Sequence, residues 1–277
     1  MAHTIPSSSH EMTLDQVIER LSRHAVVEGV LTLGTTGKDT LTAASDYDLV
    51  LVVSKRPPAL HVGVTTIDRR LADLLFMTVS QAEQILALDG PVDGDAWIGR
   101  MVRWFVAGTI VLDRSGLLER AQEKVRTGVW IQPMDEGVGY GPWFGTNFNL
   151  AHTRRLAASD DPVYLMAADW RMVLFGTTDL LFNYWKTRRL LWEGDKEAIR
   201  TLMAHDPAFL DLFQQFLVER DREQKLALYE RLAEIAVAPV GPLWADGVTA
   251  VTFDAQTVQA EDVQAGLRFW EALISDT

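Results

Sequence analysis

The chain has 277 residues, 48% hydrophobic and 23% charged, with no cysteine and a formal net charge of −12. Such a length suits two ordinary domains that bury cores without cross-links, and the missing cysteines exclude disulfides, thiolate metal sites and cysteine nucleophiles. The acidic balance, with no long run of Lys and Arg to offset it, disfavours nucleic acid as a partner and favours a small cation.

No apolar stretch approaches the roughly 18 residues of a membrane span, and the polar lead-in Met1 to Met12 lacks the apolar centre of a signal peptide. A cytoplasmic location is the expectation. The first helix begins at Thr13, where Thr13 and Gln16 form a capping box ahead of the stripe Leu14, Val17, Ile18 and Leu21. Val27 to Leu33 reads as a strand, and Gly34-Thr35-Thr36-Gly37 breaks it. Leu49 to Val53 is a continuous apolar run, as in a strand covered on both faces. A strand at Leu71 to Met77, helices at Val79 to Leu88 and Ala96 to Val106, a short strand at Thr109 to Leu112 and a helix at Gly116 to Val125 follow. Asp113 or Ser115 would cap that last helix.

Glycines and prolines crowd the segment Gly128 to Gly145, which reads as a linker or irregular crossover. Beyond it the pattern is helical. Met166, Trp170, Val173, Thr177, Leu181 and Tyr184 recur at three or four residues and are expected to face one way. Helices are also expected at Lys196 to Ala204, at Ala208 to Ala236 with a break, and at Ala260 to Ile274, with a stray strand at Val248 to Phe253. The chain therefore reads as α+β: a mixed-sheet domain over residues 13–127, then a helical bundle over residues 140–277.

The chemistry concentrates in Leu33-Gly34-Thr35-Thr36-Gly37-Lys38 and in Ser45-Asp46-Tyr47-Asp48, which opens the apolar strand. Asp46 and Asp48 are two apart, so on a strand they share a face. Adjacent carboxylates repel unless a cation compensates, and hard oxygen ligands suit Mg²⁺ held jointly with phosphate oxygens. A glycine turn after a strand lets backbone amides approach a phosphate, and its threonines add hydroxyls. The scattered histidines have no metal-ligand spacing.

This segment resembles the signature of DNA polymerase β superfamily nucleotidyltransferases: a strand, a Gly-Ser turn, then Asp-X-Asp opening the next strand. Gly34 and Thr35 stand at the Gly-Ser pair, with Thr in place of Ser, and Lys38 stands where many members have a basic residue. The resemblance implies a third carboxylate on a later strand. Asp73 is the best match, and Asp68 competes, although Arg69 and Arg70 would more easily neutralise it. The helical half resembles, more loosely, the bundles of antibiotic nucleotidyltransferases such as the kanamycin and streptomycin enzymes. There a bundle residue, often Lys, contacts the triphosphate; Lys186 is the candidate, with Arg189 next.

The resemblance implies a Mg²⁺-dependent enzyme that transfers a nucleoside monophosphate, most often AMP from ATP, to a hydroxyl. Asp46 and Asp48 would hold the metal, and Asp73 would complete its site or take the hydroxyl proton. Gly34, Thr35 and Lys38 would hold the phosphates. The leading acceptor is a small aminoglycoside-like antibiotic, with Asp135, Glu136, Asp169 and Asp179 as candidate acids around it. The alternatives are a protein or nucleic-acid acceptor, or a regulatory or toxin–antitoxin component without catalysis. Oligomeric state is left open.

Overall fold

The structure, a computed structural model, describes residues 11–34, 41–42, 44–245 and 247–274. The chain divides into two compact units, Met1–Gln132 and Pro133–Thr277. No helix among the described residues is long and apolar enough to cross a membrane.

The first unit is built on a five-stranded mixed sheet. Its strands are β1 (Val27–Leu33), β2 (Tyr47–Val53), β3 (Val62–Ile67), β4 (Arg70–Thr78) and β6 (Thr109–Asp113), in the order β3-β4-β2-β1-β6. Only the β2–β4 pairing in this sheet is parallel. Helix α1 (Leu14–Arg23) begins at the expected capping box: Gln16 N–H donates to the Thr13 hydroxyl and Thr13 N–H to the Gln16 side chain. Its apolar stripe packs with Leu49, Leu51 and Val53 on one sheet face. Val50 and Val52 point the other way, against α2 (Val79–Leu86), α3 (Trp97–Ala107) and α4 (Leu117–Arg126). Both faces of β2 are covered, which is why its sequence is continuously apolar rather than alternating. Asp113 caps α4, since its Oδ2 accepts from Glu119 N–H at 2.9 Å.

Strand β3 is absent from the expectations above. It forms a hairpin with β4 through Asp68 and Arg69, both with positive φ (51° and 59°), as a tight two-residue turn demands. A further pair, β5 (Val92–Asp93) with β7 (Ile131–Gln132), makes a small parallel sheet.

The second unit is helical, as expected, but three local readings need correction. The segment Gly128 to Gly145 is not all linker. It contributes β7, a 3₁₀ turn at Glu136–Gly139 and the start of α5 (Tyr140–Ala157). Pro142 falls in the first turn of α5, where a missing N–H costs nothing, and a long-range bond supports the glycine-rich start: Asn147 accepts from Trp244 N–H at 2.6 Å, while its amide donates within the helix to Trp143 O at 2.9 Å. Val248 to Phe253 forms no strand; Val251 and Phe253 instead pack against Gly266 of α11 (Ala260–Ile274).

The third correction concerns the expected inward stripe. Helix α6 (Pro162–Leu174) runs into a π-turn at Phe175–Asp179 before α7 (Leu180–Thr187). A π-turn breaks the 3.6-residue repeat, so one stripe cannot run through both helices. Helix α6 buries Ala168 and Met172, while Met166, Trp170 and Val173 are 72%, 67% and 54% exposed. Helix α7 buries Leu180, Tyr184 and Trp185 in a core shared with α9 (Pro207–Val218) and α10 (Arg222–Val237). Helix α8 (Asp195–His205) adds Ala198 and Leu202.

Gly176 fixes the π-turn against α9, because a Cβ there would lie 2.5 Å from Phe216 Cζ. Gly176→Ala should therefore cost about 1–3 kcal/mol through overpacking. Urea unfolding measures this; an unchanged midpoint with an unchanged slope would show that the Phe216 ring can give way.

Candidate functional site

The site candidates of the first unit follow from strand register. Parallel pairing of β2 with β4 places Asp48 beside Asp73, and antiparallel pairing places Leu33 beside Asp48 and Val64 beside Asp73. Cross-strand partners project to the same face. Leu33, Asp48, Asp73 and Val64 thus form one row across four strands, on the face that carries Val50, Val52 and Met77. Asp46 precedes β2 by one residue, and all three carboxylate residues are half-buried. Like charges directly across a strand pair destabilise a sheet by up to about 1 kcal/mol, so the row suits a cation.

Gly34 closes the end of β1 at φ 59°, a left-handed conformation that glycine adopts without strain. It sits against the row, since a Cβ there would be 3.6 Å from Asp48 Oδ2. Thr35 and Lys38 lie outside the described residues.

Asp68 is not part of the row. It occupies the β3–β4 turn, and its Oδ2 accepts from the buried Tyr47 hydroxyl at 3.4 Å, on the opposite face of β2 from Asp48. Burial, then Asp68, raises the Tyr47 pKa, so this phenol is a proton donor at neutral pH. The expectation that Arg69 and Arg70 would neutralise Asp68 is not what the side chains do. Arg69 pairs with Glu11 at 3.0 Å. Arg70 donates to Thr42 O and, at 3.2 Å, to Ser45 O, while its guanidinium lies 6.0 Å from the Tyr47 ring centre.

Arg70 is the residue that sequence reasoning passed over. Its bonds tie the segment before Asp46 to the start of β4, two residues from Ala72 and three from Asp73. The Thr42–Ser45 turn adds Ser45 N–H to Thr42 O at 3.1 Å and Thr42 N–H to Ser45 Oγ at 3.0 Å. An arginine next to a strand start gives no sign in sequence of which carbonyls it will hold.

Lys186 and Arg189 belong to the second unit. Lys186 sits in the last turn of α7, and Arg189, at φ 58°, faces Glu136 at 3.6 Å. Both of those side chains are exposed, so the pair adds little. The residue between them with the most bonds is Arg188, which covers the Tyr184 ring at 3.6 Å and donates to Ile235 O and Ala236 O at the end of α10. Trp185 and Trp192 join the helical core rather than a ligand surface. Of the four acids expected around an acceptor, three are engaged. Asp169 takes Arg222 in a two-pronged bond at 2.7 and 2.8 Å, Asp135 caps the 3₁₀ turn, and Glu136 faces Arg189. Asp179 is exposed at the π-turn, and partial desolvation raises its pKa.

Among the described residues no three Asp, Glu or His side chains are grouped to cage a metal alone. Mg²⁺ commonly takes one or two carboxylates with waters and phosphate oxygens, and a carboxylate pair in register fits that demand.

No protein-family profile matches the chain, and no curated protein matches it. Among solved structures it is similar to a nucleotidyltransferase-like protein from Exiguobacterium sibiricum 255-15. The identity is 15%, the match covers 81% of this chain and 73% of the other, and the TM-score is 0.38.

Replacing Arg70 should loosen the approach to Asp46 without unfolding the sheet. Arg70→Gln is expected to speed amide exchange at Ser45 several-fold while β2 amides stay protected. Equal protection of Ser45 in both proteins would show that the turn holds itself.

Proposed function

We propose that the chain transfers a nucleoside monophosphate, with AMP from ATP as the leading case, to a hydroxyl of a small molecule. The observation that carries this reading is the register pair of Asp48 and Asp73 on adjacent parallel strands, with Asp46 just ahead and the left-handed Gly34 turn against Asp48.

Asp46 and Asp48 would hold Mg²⁺, and the ion would supply charge neutralisation for the phosphates. Gly34, Thr35 and Lys38 hold the phosphates through backbone amides, a hydroxyl and a cation. The acceptor oxygen attacks the α-phosphorus. Its proton passes to Asp73, the bond from the α-phosphorus to the bridging oxygen breaks, and pyrophosphate leaves with that electron pair. Asp73 suits this role because it shares Asp48's face yet lies one strand further out, toward the exposed Val64 edge. The acceptor class we favour is a polycationic, aminoglycoside-like sugar. Its support is the net charge of −12, since three of the four candidate acids are engaged elsewhere.

Incubation with each labelled nucleoside triphosphate, Mg²⁺ and a panel of aminoglycosides, with mass spectrometry of the products, tests the reading. Asp48→Asn and Asp73→Asn should each lower pyrophosphate release by about 10²–10³-fold with thermal stability retained. Wild-type turnover in either folded variant would remove the carboxylate row from the mechanism. Modification of tRNA or a protein, with none of any aminoglycoside, would replace the acceptor class.

A further inference from the structure

The helical unit holds a group of basic side chains that the reading above does not use. On α5, Phe148, His152 and Arg155 recur at three or four residues, and Asn149 lies one turn before His152. Arg171 of α6 reaches the same place. Its Nη2 donates to Asn149 Oδ1 at 2.9 Å, and its guanidinium carbon lies 4.7 Å from the Phe175 ring centre. Its Nε is buried and has no hydrogen-bond partner. The His152 ring is 4.4 Å from that of Phe148, which is 44% exposed and stacked on Phe144 at 6.2 Å.

Carboxylates of α6 and α10 are committed. Glu230 of α10 takes Arg154 at 2.5 Å, and Asp169 of α6 takes Arg222. Among the described residues neither His152 nor Arg155 has a hydrogen bond or ion pair. A protein with 38 acidic residues has thus left three basic groups together without one. A buried donor lacking an acceptor costs about 1–3 kcal/mol, and clustered like charges add to that. An anion beside this group would pair with Arg155 and His152 and strengthen the charged form of the Arg171 guanidinium.

We propose that the α5–α6 cluster binds a phosphate group, free or carried by a nucleoside. Arg155, His152 and the Arg171 guanidinium supply the positive charge and donors, and the open Phe148 ring offers a platform for an attached base. This site lies in the second unit and needs no metal. Burial first, then Arg171 and Arg155, depress the His152 pKa below the ordinary histidine value, so its imidazole is neutral near pH 7. A bound phosphate favours the charged imidazole and moves that pKa up.

The test titrates inorganic pyrophosphate, and separately AMP, into the full chain in EDTA while NMR follows the His152 imidazole. Both ligands should shift His152 and raise its pKa. Arg155→Gln should weaken each ligand about tenfold, and Arg171→Met should abolish binding. Asp48→Asn should bind as the wild type does, which keeps this site apart from the proposed transferase site. Tighter AMP binding that Phe148→Ala brings down to the pyrophosphate level assigns a nucleotide as the occupant; equal or weaker AMP binding assigns free phosphate. The proposal fails if His152 does not respond, if Arg155→Gln binds like the wild type, or if Asp48→Asn loses the response. Arg155 is exposed, so its variant remains informative even if Arg171→Met does not fold.

Discussion

Asp48 and Asp73 meet because β2 and β4 run parallel, and a parallel pair cannot be closed by a tight turn. The chain must cross from the end of β2 back to the start of β4, a connection of a dozen or more residues that is usually a helix. Here β3 does the work. It returns antiparallel along the outer side, turns through Asp68 and Arg69, and feeds β4 into the slot between β2 and itself. Each part of the row depends on that path. Shifting β4 by one residue would turn Asp73 to the α1 face and bring Ala72 or Leu74 beside Asp48.

The same constraint explains why the row is held from several sides. Two carboxylates in register repel, and a strand pair free to slip would separate them. Slippage is opposed by burial on both faces: Leu49, Leu51 and Ala72 on one side, and Val50, Val52 and Met77 on the other. Arg70 adds a polar tie between the start of β4 and the turn that leads into Asp46. Apolar packing and this tie together fix the register that brings the two carboxylates side by side.

What could be read from residues alone was what local rules decide. The capping box at Thr13, the doubly covered β2 and the helix at Ala260–Ile274 were legible from neighbours in sequence. Asp48 falls in β2 as its place ahead of the apolar run implied, whereas Asp46 lies one residue before the strand, so strand alternation does not fix its face. Asp73 could be nominated as a charge in an apolar run, but its distance in chain from Asp48 left the pairing to the fold. Val62–Ile67 was missed because Ile67 is its one buried residue and Gly63 interrupts a plain alternation. The outward turn of Met166 and Trp170 was missed because spacing defines a stripe, not the side it faces, and the π-turn changes the register midway. Helix α5 was hidden by the low propensity of its glycines, and the bond from Trp244 that supports its start comes from far away in sequence.

Net charge is a statement about the far field, and the two units of this chain show its limit. A total of −12 steers cations toward the molecule from a distance, but screening confines an exposed charge's influence to about 8–10 Å in ordinary salt. Within that radius the signs of a few side chains decide what is attracted. The carboxylate row in the sheet and the Arg171–His152–Arg155 group between α5 and α6 are opposite local fields in one acidic protein. Glu230 and Asp169 are held by Arg154 and Arg222. Those two ion pairs are partly exposed and worth little in stability. Asp169 and Arg171, two apart on α6, face different sides of that helix, so placement along the helix and not the charge total decides which cation meets an acid.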